Sequence, residues 1–309
     1  MLDPTLLRGI IPPICTPLTD AGEIDVPSVH SLIDYLLESG VHGVFAFGST
    51  GEGPSLTVQQ RDVMLKSVIA AVKGRVPVLV GVTDASTERC IEYGLAAKDT
   101  GADALVVAAP YYFRTTQAEV IAHFHRIRES VGLAIMAYDI PVAVTIKLES
   151  ATIQQLYNEG VIVGLKDSSG AVDALRNTLL RLRGTNFRAF TGSELIVDLC
   201  LRMGAHGSVP GVANVFPAEY VRLYDLAQAG HWDDAIQLQE RLLLCFYELI
   251  AQGDPRYSAM SSAVGGFKSG LKQKGVIRST RVAEPFQSFS SAQEERVAEV
   301  MRRHGFVSY

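Results

Sequence analysis

The chain has 309 residues, of which 48% are hydrophobic and 20% are charged, with a formal net charge of -5. These values are typical of a globular protein and allow one large domain or two small ones. Charges of both signs are interspersed without a basic stripe, which argues against nucleic acid or an anionic membrane surface as a partner. We therefore predict that the partner is a small molecule or another copy of the chain.

The cysteines and the start of the chain argue against several further classes. The first residues lack the basic segment of a signal peptide, and no run reaches the roughly 18 apolar residues of a membrane-spanning helix. The cysteines stand far apart, without a C-x-x-C pair or a histidine at ligand spacing, so neither a zinc site nor a disulfide framework is predicted. We expect a cytoplasmic protein with free thiols at Cys15, Cys90, Cys200 and Cys245.

Short apolar runs recur along the chain, and each of them predicts a β-strand. In chain order they are "GIIPPICTP", "GVFAFGS", "VPVLVGVT", "DALVVAAPYY", "LAIMAYDIP", "VIVGLKDS", "FRAFTGS" and "HGSVPG". Stretches with helical spacing of apolar residues lie between the earlier runs and predict amphipathic helices, at residues 26–40, 57–74, 87–101 and 118–130. Strand and helix therefore alternate through the first two thirds of the chain.

Alternating apolar strands and helices predict a parallel sheet covered by helices on both faces. Eight strand units over about 210 residues fit a closed (β/α)8 barrel. An open doubly wound sheet is the alternative, but "CTPLTDAGEID" after the first strand has no glycine-rich dinucleotide turn. Further helices without intervening strands are predicted at 218–230, 231–252, 258–275 and 291–305. We predict a barrel at residues 1–216 and a C-terminal helical extension at 217–309, packed together as a single structural unit.

The stretch "VIVGLKDSSG" places a lysine at the end of a strand that is predicted to be buried. Interior strands rarely carry an ammonium without a partner, and the carboxyl ends of barrel strands are where this fold carries its chemistry. Period-two alternation points Lys166 inward, as it does Tyr138 on the preceding strand. Burial disfavours the charged form, so Lys166 is a candidate nucleophile for Schiff-base formation with a ketone. The alternatives are an ion pair with Asp167 or Asp139, and for Tyr138 a packed turn position.

The stretch "FGSTGEGPSL", residues 47–56, follows the second predicted strand and leads into a helix near Thr57. Backbone N–H groups in such a turn, together with the hydroxyls of Ser49 and Thr50, suit a carboxylate. A nucleotide loop of the Walker type is not predicted, because no Gly-Lys-Ser/Thr follows. The alternative is a glycine turn that is needed only for its positive φ angles.

Three motifs stand in a fixed order along the chain: "GSTGE" at Gly48 to Glu52, "YDIP" at Tyr138 to Pro141 and "GLKDSSG" at Gly164 to Gly170. Together they resemble the dihydrodipicolinate synthase and N-acetylneuraminate lyase family of class I pyruvate-type aldolases and lyases. The likeness runs from about Gly9 to the last helices and includes "LAQAGHWDDAIQLQERL". The resemblance implies a (β/α)8 barrel, a homotetramer, and catalysis without a metal or organic cofactor.

The resemblance also implies roles for individual residues. Lys166 matches the Schiff-base lysine of the family, and Tyr138 matches its proton-relaying tyrosine. Tyr112 matches a tyrosine that many members lend across a subunit interface into the neighbouring site. The turn that holds the keto-acid carboxylate and assists the relay is matched by Ser49, Thr50 and Gly51.

Two departures from the family pattern concern the second substrate. Asp139 stands where the family usually has asparagine after the motif tyrosine, which adds a negative charge near the predicted site. Ala143 stands where dihydrodipicolinate synthases have an arginine that holds the carboxylate of the second substrate. Without that charge-assisted contact, a site binds a dicarboxylic adduct less selectively. We therefore predict that the chain is not the lysine-pathway synthase.

Further contacts to the substrate are predicted at other loop positions. Sugar-acid members of the family bind substrate hydroxyls at the seventh strand end, where an acidic side chain suits a polyhydroxylated 2-keto acid. The eighth strand end carries a proline where relatives often have another small residue, which predicts a differently shaped pocket. The residues concerned are Gly192, Ser193 and Glu194, then Pro210 and Gly211, and Thr145 just beyond the Ala143 position.

The leading prediction is a class I lyase that cleaves or dehydrates a 2-keto acid, such as a 2-keto-3-deoxy sugar acid, and yields pyruvate. The alternative enzyme condenses pyruvate with aspartate semialdehyde, as 4-hydroxy-tetrahydrodipicolinate synthase does. An alternative from another class is a non-catalytic barrel that only binds a keto acid.

Overall fold

The computed structural model describes residues 2–250 and 254–306. Eight strands form one sheet in the order β1-β8-β7-β6-β5-β4-β3-β2. Their bounds are β1 Gly9–Ile10, β2 Val44–Ala46, β3 Val78–Gly81, β4 Ala104–Ala108, β5 Ala134–Asp139, β6 Gly164–Asp167, β7 Arg188–Thr191 and β8 Gly207–Ser208. The backbone N–H of His42 donates to Ile10 O at 2.8 Å, which joins the first strand to the segment entering the second. The fold is the predicted (β/α)8 barrel, and each of the eight predicted strands is present.

Helices follow the strands and continue beyond the last one. Their bounds are α1 Val26–Glu38, α2 Val58–Val72, α3 Thr87–Thr100, α4 Gln117–Val131, α5 Pro141–Val144, α6 Ser150–Asn158, α7 Val172–Arg181, α8 Val197–Arg202, α9 Pro217–Gln228, α10 Trp232–Ile250, α11 Ala259–Gln273 and α12 Ser291–Arg303. The helices predicted from the sequence are confirmed. Residues 251 and 252, at the end of one predicted helix, lie outside the described residues.

Local sequence explains where these elements begin. The side chains of Thr57 and Gln60 form a capping box at the start of α2, and those of Thr116 and Glu119 do so at α4. Each box satisfies backbone N–H groups that the first turn of a helix leaves without partners. Every residue of β3, β4, β5 and β6 is buried, as expected for strands covered on both faces.

The described residues group into two compact units. The first consists of the residues up to Ile11, His42–Phe45 and Val76–Pro210. The second consists of Pro12–Val41, Ala46–Arg75 and the residues from Gly211 onward. The predicted boundary after residue 216 stays a prediction. Within the residues described, no helix combines the length and apolar character needed to cross a membrane.

His123 on α4 makes the stability of the first unit depend on pH. Its side chain is 4% exposed, its Nδ1 lies 2.9 Å from the Thr87 hydroxyl, and burial lowers its pKa to about 4. A histidine whose pKa is depressed by folding stabilises the protein above its unfolded pKa of about 6.5 and loses that contribution as the pH falls. We expect the free energy of unfolding to drop by about 2–3 kcal/mol from this group between pH 6.5 and pH 4.

Urea unfolding at several pH values measures this effect, with His123→Gln as the variant that cannot titrate. The variant is expected to show a shallower loss of unfolding free energy on acidification, whatever its stability at pH 7.5. An equally steep loss in both proteins would assign the acid sensitivity to other groups.

Candidate active site

Two neighbouring strands of the first unit position the two residues that the sequence singles out. β5 and β6 pair in parallel with Tyr138 opposite Lys166, so both side chains leave the same face at the same level. Both are buried, with exposed fractions of 5% and 4%. Met136 and Gly164 pair one layer below, as the alternation along the two strands predicts. The predicted convergence of phenol and amine is therefore present in the geometry of the sheet.

The amine of Lys166 lies against aromatic rings. Its Nζ is 4.0 Å from the ring centroid of Tyr138 and 5.1 Å from that of Phe45 on β2. The two rings contact each other edge to face, with centroids 6.4 Å apart. Rings at these positions fix the course of the lysine side chain and place its terminal nitrogen at a defined point. An amine held in this way would lose little freedom on reacting with a ligand.

The carboxylates that could have paired with Lys166 are engaged elsewhere. Asp167 Oδ1 accepts hydrogen bonds from the backbone N–H and the hydroxyl of Ser169, at 2.8 and 2.7 Å. Asp139 Oδ1 accepts from the backbone N–H of Leu148 at 3.0 Å, and its Oδ2 forms an ion pair with Lys147. The geometry therefore does not support the alternative that Lys166 is simply one half of an ion pair at a strand end.

Asp139 lies on the outer face of β5, opposite to Tyr138, because side chains alternate along a strand. Its side chain is fully buried, and burial raises the pKa of its carboxyl, an effect that the hydrogen bonds from Lys147 and Leu148 partly offset. The carboxylate ties the segment after α5 back to the strand that precedes it. The predicted contact of Asp139 with a substrate stays a prediction.

Gly192, just after β7, makes room for the lysine. A Cβ built on Gly192 would overlap the hydroxyl oxygen of Ser168 and would lie 3.1 Å from Cε of Lys166. The missing side chain thus leaves space for both neighbours at the carboxyl ends of β6 and β7. This gives Gly192, which the sequence predicts as a substrate contact, a clear steric role beside Lys166.

Gly192→Ala is expected to push Lys166 out of position and to lower kcat/KM by roughly 100-fold, because misplacement by about 1 Å costs that much. In the double variant Gly192→Ala/Ser168→Ala, the overlapping hydroxyl is gone, so at least half of the lost activity, on a logarithmic scale, is expected to return. Steady-state kinetics of the three proteins measure this. Activity in the double variant no higher than in Gly192→Ala would show that the overlap with Ser168 is not the cause.

The other predicted contacts at the last two strand ends have ordinary structural surroundings. Ser193 donates its backbone N–H to Thr191 Oγ1 at 3.1 Å and accepts from the backbone N–H of Leu195 at 3.3 Å, which forms a local turn. Glu194 is partly exposed, whereas Pro210 and Gly211 are buried. Their roles as substrate contacts stay predictions.

The loops after β4 and β5 present their predicted residues to the surface. Tyr112 is 81% exposed at a positive φ of 82°, and its ring packs edge to face on Phe113 at 4.9 Å. Ala143 on α5 and Thr145 just after it are both exposed. No charged side chain stands at position 143, so the structure supplies no guanidinium there. The role of Tyr112 across a subunit interface and the homotetramer stay predictions.

The motif turn belongs to the second unit and is tightly constrained. Ser49 and Thr50 are half-buried, and the hydroxyl of Thr16 donates to Gly51 O at 2.7 Å. A Cβ on Gly51 would lie 2.8 Å from Ile14 O, which only glycine avoids. The predicted turn is thus present and rigidly held, and its carboxylate-binding role stays a prediction.

Thiol chemistry is not supported by the cysteines. All four lie in the described part of the chain, are buried and form no disulfide, and burial raises the pKa of Cys15 and of Cys245 to about 12. A thiol with such a raised pKa is protonated at neutral pH and is a poor nucleophile. Within the residues described, no group of three His, Cys, Asp or Glu side chains could hold a metal ion.

Sequence reasoning missed several residues that shape these sites. Phe45 sits in an apolar strand and carries no signal that it contacts the lysine. Lys268 carries a signal in retrospect, since it is the charged residue in the small and apolar stretch "AVGGFKSGL" of α11. Its side chain is completely buried in an ion pair with Glu52.

Comparisons with known proteins agree over nearly the whole chain. The protein-family model described as "Dihydrodipicolinate synthetase family" matches residues 6–304 of this chain. A protein of Porphyromonas gingivalis named 4-hydroxy-tetrahydrodipicolinate synthase is 31% identical over 300 residues, covering 97% of this chain and 98% of the relative. Among solved structures, dihydrodipicolinate synthase from Bacteroides thetaiotaomicron has a TM-score of 0.91 and 34% identity, covering 98% of this chain and 100% of that one.

A second solved structure also has a closely similar fold. YagE, a prophage protein of the dihydrodipicolinic acid synthase family from Escherichia coli, solved in complex with pyruvate, has a TM-score of 0.89 and 28% identity. The match covers 98% of this chain and 100% of the YagE chain.

Proposed function

Because the chain belongs to the dihydrodipicolinate synthetase family, whose members are class I lyases, we propose that it forms a Schiff base between Lys166 and pyruvate. The observation that carries this proposal is the buried amine of Lys166, held 4.0 Å from the ring centroid of Tyr138 on the adjacent strand. The pyruvate complex of YagE supports the choice of keto acid.

The proposed chemistry follows from the two side chains. The amine of Lys166, which reacts as the free base, attacks the ketone carbon of pyruvate, and the carbinolamine that forms loses its hydroxyl as water to give an iminium. The Tyr138 phenol donates the proton that the departing hydroxyl needs and accepts one in the reverse step. The iminium withdraws electrons from the neighbouring methyl carbon, which loses a proton to the Tyr138 oxygen, left deprotonated by the preceding step, to give an enamine nucleophile. Addition of the enamine to an aldehyde makes a carbon–carbon bond, and the reverse of that step breaks one.

The carboxylate of pyruvate is assigned to the turn at Ser49 and Thr50. Support comes from the family motif and from the rigidity of the turn, in which Thr16 holds Gly51 O at 2.7 Å. Two hydroxyls in a fixed turn can donate to an anion without reorganising when it binds.

The direction of the reaction has two candidates. Condensation of pyruvate with aspartate semialdehyde is supported by the curated relatives, such as the Porphyromonas gingivalis protein at 31% identity that is named 4-hydroxy-tetrahydrodipicolinate synthase. This support favours the alternative drawn from the sequence over its leading prediction of cleavage.

A single observation favours the second candidate, cleavage of a hydroxylated 2-keto acid to pyruvate. Ala143 is exposed and carries no charge at the position where the family's synthases hold the carboxylate of the second substrate. A short apolar side chain cannot replace a bidentate guanidinium contact. A substrate whose distal part carries hydroxyls rather than a carboxylate suits this position better.

Borohydride trapping tests the Schiff base. The protein is incubated with pyruvate and sodium borohydride, and intact mass and peptide mapping then locate the reduced adduct. The expected result is one adduct per chain, on Lys166. Absence of an adduct at saturating pyruvate would refute the proposed function.

Product analysis decides the direction. Pyruvate with aspartate semialdehyde tests the condensation, and a panel of 2-keto-3-deoxy sugar acids, N-acetylneuraminate and 4-hydroxy-2-oxoglutarate tests pyruvate release. If the condensation occurs, Ala143→Arg is expected to lower the KM for aspartate semialdehyde. Trapping of pyruvate without turnover in any of these assays would instead identify a non-catalytic keto-acid-binding barrel.

A further inference from the structure

A fully buried ion pair adjoins the motif turn in the second unit. Lys268 Nζ on α11 lies 2.6 Å from Glu52 Oε2, and both side chains have no exposed surface. Glu52 is the last residue of the "GSTGE" motif, two positions after Thr50. Removing two charges from water costs free energy that can exceed the attraction between them. A contribution to stability is therefore a poor explanation for the presence of a buried ion pair.

The pair is joined to a third segment of the same unit. Lys268 Nζ also donates to Arg281 O at 2.6 Å, and the backbone N–H of Ala283 donates to Glu52 Oε1 at 2.6 Å. The end of the motif turn is therefore clamped between α11 and residues 281–283. These charge-assisted hydrogen bonds are stronger and shorter than neutral ones, and they fix the carboxylate of Glu52 in direction as well as distance.

The backbone of the turn is strained at the clamped residue. Glu52 adopts a left-handed conformation with φ of 56°, which is unfavourable for a residue with a side chain. The positions on either side, Gly51 and Gly53, are glycines, so the chain has a glutamate where glycine would be less strained. Such strain persists where surrounding contacts determine the conformation, and it is concentrated at functional positions.

The other end of the turn is held in a similar way. Phe47 has a φ of 61°, and the guanidinium carbon of Arg61 lies 4.2 Å from its ring centroid. Arg61 Nη1 also donates to Gly53 O at 3.2 Å, and the N–H of Gly53 donates to Gly48 O at 3.2 Å. Residues 48–51 are thus held between two strained and anchored positions.

We propose that Glu52 and Lys268 are positioning residues that hold the Ser49–Thr50 turn in the conformation that receives the substrate carboxylate. This inference rests on the proposed function. Both side chains are completely buried, so they act through the backbone of the turn. Their loss is expected to weaken recognition of the carboxylate and to leave the reactivity of the ketone unchanged.

The test compares two ketones that differ only in the carboxylate. Borohydride trapping is measured over a range of concentrations of pyruvate and of methyl pyruvate, whose ester carries no negative charge. The variants are Glu52→Gln, which keeps an acceptor for Ala283, and Lys268→Met. In both variants, the pyruvate concentration for half-maximal trapping is expected to rise about 10-fold, because a displaced turn no longer matches the carboxylate. The value for methyl pyruvate is expected to change less than about 2-fold, since no carboxylate is recognised.

Two controls separate positioning from general destabilisation. Lys268→Arg keeps the positive charge and is expected to retain at least part of the preference for pyruvate. Asp25→Asn breaks a different ion pair of the same unit, in which Arg278 Nε donates to Asp25 Oδ2 at 2.9 Å. It is expected to lower thermal stability without changing the ratio between the two ketones.

Folding of each variant is checked by circular dichroism and thermal unfolding. If a single variant does not fold, Glu52→Gln/Lys268→Met takes its place, because it leaves no buried charge unpaired. Equal shifts for both ketones, or no shift in a folded variant, would overturn this inference alone. Failure of the wild-type protein to form any adduct would overturn the proposed function and this inference with it.

Discussion

Replacing Lys166 by methionine is expected to lower kcat/KM by roughly 10,000-fold or more, as loss of a covalent nucleophile does in other enzymes. The trapped pyruvate adduct is expected to disappear with it. Methionine has a similar length and no amine, so it can occupy the space beside the rings of Tyr138 and Phe45 without offering a nucleophile. Removing the amine from a side chain that is only 4% exposed is expected to leave the thermal midpoint unchanged or higher.

Lys166→Arg is the matched control for charge. Its guanidinium keeps a cation beside the aromatic rings but does not form an imine, so it is expected to be as inactive as the methionine variant. An adduct that persists in Lys166→Met would place the nucleophile on another lysine, and peptide mapping would identify it. Activity in Lys166→Arg above that of the methionine variant would show that charge, rather than covalent chemistry, is what Lys166 supplies.

Tyr138→Phe is expected to lower kcat by about 100- to 10,000-fold, the range for loss of a positioned general acid–base group. Phenylalanine keeps the ring that lies 4.0 Å from Lys166 Nζ and the edge contact with Phe45, so the amine stays in place. The KM is expected to change little, because the phenol hydroxyl serves proton transfer, whereas the ring contacts with Lys166 and Phe45 remain. Single-turnover trapping, which follows imine formation by itself, measures the step that slows.

Tyr157→Phe is the matched control. Its phenol accepts a hydrogen bond from the backbone N–H of Asn186 at 3.1 Å, near the amino end of β7 and therefore at the end of the strands away from Lys166. This variant is expected to keep full activity. If Tyr138→Phe retained the wild-type rate of imine formation, another group or water would have to carry the proton.

The barrel could be predicted because its signals are local and repeated. Each strand is a short apolar run bounded by turn residues, and helices such as α2 begin at side chains that cap them. The alternation along β5 and β6 was sufficient to place Tyr138 and Lys166 on one face at one level. These features depend only on residues close together in the chain and on the regular geometry of a parallel sheet.

Other parts of the sites depend on contacts that no local pattern encodes. Phe45 reaches Lys166 across the barrel interior, more than one hundred positions away in the chain. Asp139 forms an ion pair with Lys147, which lies in a loop whose course the sequence does not specify. Glu52 and Lys268 meet because α11 packs beside the motif turn within its unit. The second substrate could not be predicted from the sequence for the same reason, because substrate contacts in this fold come from the loops that follow several strands.

The two faces of β5 bear on how the specificity of such an enzyme can change during evolution. The inner face carries Tyr138, whereas the outer face carries Asp139, which anchors the segment after α5 through Lys147 and Leu148. Substitutions at exposed positions such as Ala143 can therefore accumulate without displacing the Tyr138 phenol, because the residue that anchors the segment, Asp139, lies on the opposite face of β5. On the proposed function, new substrates become accessible to natural or laboratory selection through this loop, while Lys166 and Tyr138 are inherited intact.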